Sequence, residues 1–128
     1  MKPKILCVCS MGENRSKYLA SYLKNKGYRT RYGGIGHGRV DKEAHNPLSK
    51  NDVEWADIII VVRKRHKPLL KEKFSTKGKK IIALDVTDSR RLIIPDHPEF
   101  AKLDFETFQI KWTYPQLRKA IKPHLPLK

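Results

Sequence analysis

Residues 57–62 read DIIIVV, an acidic residue followed by five β-branched apolar side chains in a row. Alternation would mark a strand wet on one face. An unbroken run marks a strand buried on both faces, as in a parallel sheet covered by helices above and below. Residues 4–9 (KILCVC) and 79–86 (KKIIALDV) are two more short, apolar, β-prone runs. Residues 28–36 (YRTRYGGIG) form a further strand that runs into a glycine-rich loop. Helical segments separate these runs. Residues 15–26 place Leu19, Tyr22 and Leu23 on one helical face and stop at Gly27. Residues 48–56 form a short helix with Ser49 or Asn51 as its cap, and residues 63–74 (RKRHKPLLKEKF) a basic amphipathic one. Residues 37–47 are polar and irregular. From Asp104 to about Ile121 the pattern is helical, broken or kinked near Pro115. Alternating strands and helices predict an α/β fold, a three-layer sandwich around a four-stranded parallel sheet. The 128 residues suit one domain, 1–128, with no repeat and no linker.

Composition narrows the setting. No apolar run approaches the roughly 20 residues that span a bilayer, so no membrane partner is expected. The opening MKPKILCVCS does not resemble a secretory leader, so the expected location is cytoplasmic, where thiols stay reduced. Cys7 and Cys9 are the only two cysteines. A strand holds residues two apart at roughly 6.5 Å with side chains nearly parallel, a poor disulfide geometry. The five histidines show no paired spacing with them, so neither a metal nor a cofactor is expected. GGIGHG (33–38) lacks the following helix and acidic residue of a dinucleotide site.

The net charge is +15, from 28 Lys and Arg against 13 Asp and Glu. Such a surface attracts polyanions, and RKRHK (63–67), KGKK (77–80) and SRR (89–91) are its densest runs. The same runs serve equally as solvated helix faces and loops. A non-catalytic basic protein that binds phosphate or nucleic acid is therefore the alternative reading, with nucleic acid not the expected partner.

The chemistry concentrates in CSMGENRS, residues 9–16. Five residues separate Cys9 from Arg15, and a helix begins there. A loop of that length, closing on a helix N-terminus, turns backbone N–H groups around one tetrahedral anion. Ser10, Met11, Gly12, Glu13, Asn14, Arg15 and Ser16 are thus the expected phosphate-binding set. Gly12 offers the left-handed conformation of a tight loop, and the Arg15 guanidinium grips two oxygens at once. A helix N-terminus and a nearby cation lower a thiol from its usual pKa of about 8.5, and the Ser16 hydroxyl adds a hydrogen bond to the sulfur. Cys9 is then a nucleophile in line with a phosphoryl group. The spacing alone is common by chance. The apolar strand before it, the glycine within, the serine after Arg15 and the helix behind give it meaning.

These residues resemble the phosphate loop of the low-molecular-weight protein tyrosine phosphatases. Within that superfamily, VEWADIIIVVRKRHKPLLKEKF and the LDV of 84–86 are similar to small prokaryotic predicted tyrosine phosphatases. CSMGENRS and GYRTRYGGIG are similar to the phosphatase acting on the C-terminal domain of RNA polymerase II. The likeness covers about residues 4–100. It implies a metal-independent protein phosphatase with Cys9 as nucleophile and a phosphocysteine intermediate. Its substrates would be phosphorylated proteins or small phosphomonoesters, and its ligands phosphate, sulfate or vanadate. It also implies an aspartate general acid after the fourth strand: Asp85, Asp96 or Asp88, taken in that order. Departures exist. The aromatic residues that follow the acid in tyrosine-specific members are absent after Asp88, and His97, Pro98 and Phe100 follow Asp96. Asn14 stands where the family carries a second loop cysteine. An arsenate reductase of this fold needs two cysteines downstream, and none follows Cys9. A sugar-transport phosphocarrier of similar fold lacks the arginine.

Overall fold

The structure, a computed structural model, describes residues 2–36 and 44–128. Four parallel strands, β1 (Lys4–Cys9), β2 (Arg29–Gly34), β3 (Ile58–Val61) and β4 (Lys80–Ala83), lie in the order β2-β1-β3-β4. Ile5 pairs with Ile58 and Cys7 with Ile60, while Cys9 at the end of β1 pairs with Gly34. The strand expected over 79–86 is shorter as a ladder. Its extension is real, because Leu84 N–H still donates to Val61 O and Val86 N–H to Val62 O, both at 2.8 Å.

Side chains alternate across this sheet and define two cores. Ile5, Cys7, Cys9, Ile58, Ile60, Val62, Ile82, Leu84 and Val86 share one face. It is covered by α1 (Arg15–Asn25), through Leu19 and Leu23, and by α6 (Tyr114–Ile121), through Leu117 and Ile121. Leu6, Val8, Ile59 and Val61 point the other way, against Val53 of α2 (Lys50–Trp55) and Leu70 of α3 (His66–Lys73). The expected α/β three-layer sandwich is what the chain forms. Ile59 and Ile60 are each 0% exposed, and burying such a side chain contributes about 1.5–3 kcal/mol. This is why DIIIVV needs no polar position.

Local chemistry sets the helix ends. Ser49, not Asn51, caps α2: its hydroxyl accepts from Asp52 N–H at 3.1 Å, and the Asp52 carboxylate accepts from Ser49 N–H. The basic helix begins at His66, because Arg63 to Arg65 form a turn that carries the chain off β3. A four-residue helix, α4 (Arg90–Ile93), follows β4 and was not expected from the sequence. The C-terminal segment is interrupted where the proline signalled. Helix α5 (Phe105–Phe108) leads into a wide turn over Gln109–Thr113 before α6 resumes. Pro115 lacks the N–H that an i−4 bond requires, so the ladder loosens in the turn before it. Among the described residues, no helix is long and apolar enough to cross a membrane.

The strand order reverses direction at β1 and β3, and in open α/β sheets the ligand crevice lies beyond the strand ends at that point. The segment leaving β1 is CSMGENRS.

Candidate active site

The loop after β1 is built by taking its carbonyl groups away. Cys9 O accepts from Ile35 N–H at 2.9 Å, and Ser10 O from Gly36 N–H at 2.8 Å. Met11 O accepts from Asn46 N–H at 2.9 Å, and Gly12 O from the Asn46 side-chain amide at 3.0 Å. Four consecutive carbonyls are thus satisfied from outside the loop. Carbonyl and N–H of a peptide point in opposite directions, so the amide edges turn inward. Gly12 N–H shows where they converge, donating to Cys9 Sγ at 3.2 Å. The Ser16 hydroxyl lies 3.1 Å from the same sulfur.

The glycines make this approach possible. Gly12 sits at φ 77°, and a Cβ there would collide with Asn46 O and the backbone of Gly33 and Gly34. On Gly34 a Cβ would come within 2.6 Å of Ser10 O. Gly33 and Gly34 therefore serve close packing against the loop. His37 and Gly38 of the same glycine-rich stretch, and residues 37–43 of the irregular segment, lie outside the described residues.

Helix α1 starts at Arg15, so its unpaired N–H groups face the loop, with no acidic residue in its first turn to repel an anion. Arg15 is 6% exposed. Its Nη1 donates to Val86 O at 2.8 Å, and its Nε lies 3.5 Å from Asp88 Oδ2. The Asn14 amide also donates to Asp88 Oδ2, at 3.5 Å, while its oxygen accepts from the Tyr114 hydroxyl at 2.9 Å. Tyr114 in turn stacks on Tyr18 of α1 at 4.0 Å between ring centres. Burial, and then the nearby Tyr18, Glu106 and Asp88, hold the Tyr114 hydroxyl above its ordinary pKa, so it is a donor at neutral pH.

The expected site residues are distributed as follows. Cys9, Ser10, Gly12, Arg15 and Ser16 are buried around the loop, Met11 and Asn14 are partly buried, and Glu13 is exposed and pairs with His45 at 2.7 Å. The three aspartates part company. Asp85 forms an ion pair with Arg63 at 3.0 Å, and Asp96 is exposed in the turn after α4. Asp88 is the one beside Arg15. Strand parity explains this. Ile82, Leu84 and Val86 share the face of Cys9, whereas Ile81 and Ala83 pack on the other, so Asp85 emerges on the α3 side. Asp88, past the strand end, reaches Arg15 and Asn14 of the loop.

Cys7 is fully enclosed two residues before Cys9. Burial, reinforced by Cys9, pushes its thiol far above the ordinary range, so it stays protonated. Both cysteines are free thiols. Sequence reasoning missed the Asn46 clasp, the Tyr114 brace and a pair behind Ser10. There His66 Nε2 lies 2.9 Å, and Arg65 Nη2 2.8 Å, from the Ser10 hydroxyl. None carries a local signal, because each is brought in from a distant segment. Among the described residues no group of three or more His, Cys, Asp or Glu side chains is placed to hold a metal ion.

No protein-family model matches the sequence, and no curated protein sequence matches it. Solved structures do. The YwlE arginine phosphatase from Geobacillus stearothermophilus is 21% identical, with a TM-score of 0.63 over 93% of this chain and 88% of that one. The tyrosine phosphatase Wzb from Escherichia coli K30, in complex with phosphate, is 14% identical, with a TM-score of 0.64 over 96% of each chain. A low-molecular-weight protein tyrosine phosphatase from Bacillus subtilis is 16% identical, with a TM-score of 0.59 over 93% and 92%. The fold is that of the low-molecular-weight protein tyrosine phosphatases.

Proposed function

We propose that the chain is a metal-independent phosphomonoesterase, a cysteine-dependent protein phosphatase acting on phosphorylated side chains. One observation carries the reading. The carbonyls of Cys9 to Gly12 are held outward by Ile35, Gly36 and Asn46, and Gly12 N–H donates to the sulfur just ahead of a helix N-terminus, which supports reading the loop as an inward-facing amide cradle. That arrangement favours an oxyanion held over the sulfur. The shared fold supports it, since the neighbours are described as tyrosine and arginine phosphatases.

In the first step Cys9 Sγ attacks phosphorus. The S–P bond forms as the P–O bond to the leaving group breaks, and a protonated Asp88 gives its proton to the departing oxygen. The loop amides and the donors that Arg15 keeps beyond Val86 hold the equatorial oxygens in the transition state. In the second step water attacks phosphorus, Asp88 takes its proton, and the S–P bond breaks to release phosphate and the thiolate. At 3.1 Å the Cys9 thiol donates to the Ser16 hydroxyl, and once its proton is gone the sulfur accepts from that hydroxyl, as it does again on leaving phosphorus. Asp88 takes the acid's role because it stands 3.5 Å from the loop arginine, while Asp85 is held by Arg63. Asn14 and Tyr114 steady it. The reading places the enzyme in the cytoplasm, where reducing conditions keep Cys9 a thiol.

The test is turnover of para-nitrophenyl phosphate and a phosphotyrosine peptide by the chain and its Cys9→Ser variant. Expected are hydrolysis by the first, none by the second, and a phosphate trapped on Cys9 after rapid quenching that is lost under acid. Hydrolysis that survives Cys9→Ser, or phosphopeptide binding with no turnover at all, refutes it; the latter outcome favours a non-catalytic binder.

A further inference from the structure

Three guanidinium groups gather at the rim of the loop, and two of them have carboxylate partners. Arg15 faces Asp88 at 3.5 Å, and Arg63 faces Asp85 at 3.0 Å. No carboxylate among the described residues pairs with Arg65. It is anchored instead to the loop itself, its Nη2 donating to Ser10 Oγ at 2.8 Å. Ser10 is 2% exposed and follows Cys9 directly. A second donor fixes the same oxygen. His66 Nδ1 accepts from Arg63 N–H at 3.2 Å, so its proton sits on Nε2, which donates to Ser10 Oγ at 2.9 Å. His66 is completely buried, whereas Arg65 is exposed. One edge of the Arg65 fork is therefore bolted to the loop while the residue borders solvent.

We propose that Arg65 is a second anion anchor beside the phosphate loop, and that it selects phosphopeptides carrying a carboxylate side chain next to the phosphorylated residue. The proposal rests on the reading of the loop as a phosphate site. A guanidinium with one N–H committed keeps four more, in a planar fork that matches a carboxylate. Partial burial, then Arg15 and Arg63, make it harder for Arg65 to hold its proton, and Asp88 offsets this in part. The four groups are therefore electrostatic neighbours, and an arriving anion relieves the repulsion. Arg63 gains less, since it already faces Asp85, and Arg15 is committed to the phosphate itself. The net charge of +15 favours acidic segments in general, but it does not single out a position beside the phosphate.

The experiment measures binding, in the Cys9→Ser background, of two phosphotyrosine peptides that differ only in flanking glutamates or flanking glutamines. With salt at about 0.15 M, the acidic peptide is expected to bind roughly five- to thirtyfold tighter. Adding Arg65→Gln brings the two within about twofold, and Arg65→Lys retains part of the difference. Circular dichroism confirms that each variant is folded. A preference that survives Arg65→Gln, an absent preference, or an equal weakening of both peptides overturns the proposal; the last would mean that Arg65 grips the phosphate. Turnover by the unsubstituted chain is followed in parallel. Preference without turnover removes the catalytic reading and keeps this one. Turnover without preference removes this one alone, and neither turnover nor binding of either peptide removes both.

Discussion

Arg15 Nε lies 3.5 Å from Asp88 Oδ2. This contact joins the helix that follows β1 to the turn that follows β4, with 72 residues between the two side chains in sequence. It also places a carboxyl group beside Arg15 and Asn14, two residues of the loop that follows Cys9.

If Asp88 protonates the leaving oxygen, Asp88→Asn lowers kcat/KM on a phosphotyrosine peptide by roughly 10²–10⁴. The loss on para-nitrophenyl phosphate is much smaller, because that leaving group departs readily as an anion. Asp85→Asn and Asp96→Asn change either rate by less than about threefold, one side chain being held by Arg63 and the other exposed on a separate turn. Steady-state kinetics on the three variants decides it. An Asp85 effect larger than that of Asp88 reverses the assignment.

The loop's geometry is tested at Gly12. Alanine there faces both a positive φ and the backbone of the 33–34 and Asn46 segments. The Asn46 clasp must open, and the amide ring with it. Gly12→Ala is expected to lose more than about a hundredfold in kcat/KM, on the scale of removing an oxyanion donor. Its far-ultraviolet circular dichroism stays unchanged. Full activity in that variant would mean that the amide ring is not what binds the anion.

Cys7 offers a pH test with a definite sign. Burial raises its folded pKa above the unfolded value. The contribution of Cys7 to stability is then fully present below about pH 8.5 and declines as pH rises toward the folded value. At about pH 9.5, one unit above the free-thiol pKa, the loss is about 1.4 kcal/mol. Urea denaturation of the chain and of Cys7→Ala at about pH 7.5 and about pH 9.5 measures it. The stability advantage of the unsubstituted chain over the variant should narrow by about that amount at the higher pH. A gap that stays constant shows that the buried thiol ionises freely.

The sheet was legible because its signals are local. DIIIVV announces its burial through composition alone, and CSMGENRS announces its turn through Gly12 and the helix behind Arg15. The order of the aspartates was not. Whether Asp85 or Asp88 faces Cys9 depends on which face of β4 meets α1, a one-residue parity fixed by Ile60 pairing with Ile82. A hydrophobic strand buried on both sides hides that parity in the sequence. The supports of the loop were equally hidden. Asn46, His66 and Tyr114 lie 34, 56 and 100 residues from their partners Gly12, Ser10 and Asn14, and no periodicity relates such positions. Pro115 marked the irregularity in the last helix, but its form as a wide turn over Gln109–Thr113 follows from packing that the proline alone does not dictate.

The hydroxyl of Tyr114 reaches back to Asn14 across nearly the whole chain. During synthesis Cys9 and its loop therefore leave the ribosome long before the residue that braces them. A nascent chain halted before Tyr114 would carry Cys9, Arg15 and Asp88 and still lack the brace, so the loop gains its full set of contacts only after the last helix has been made.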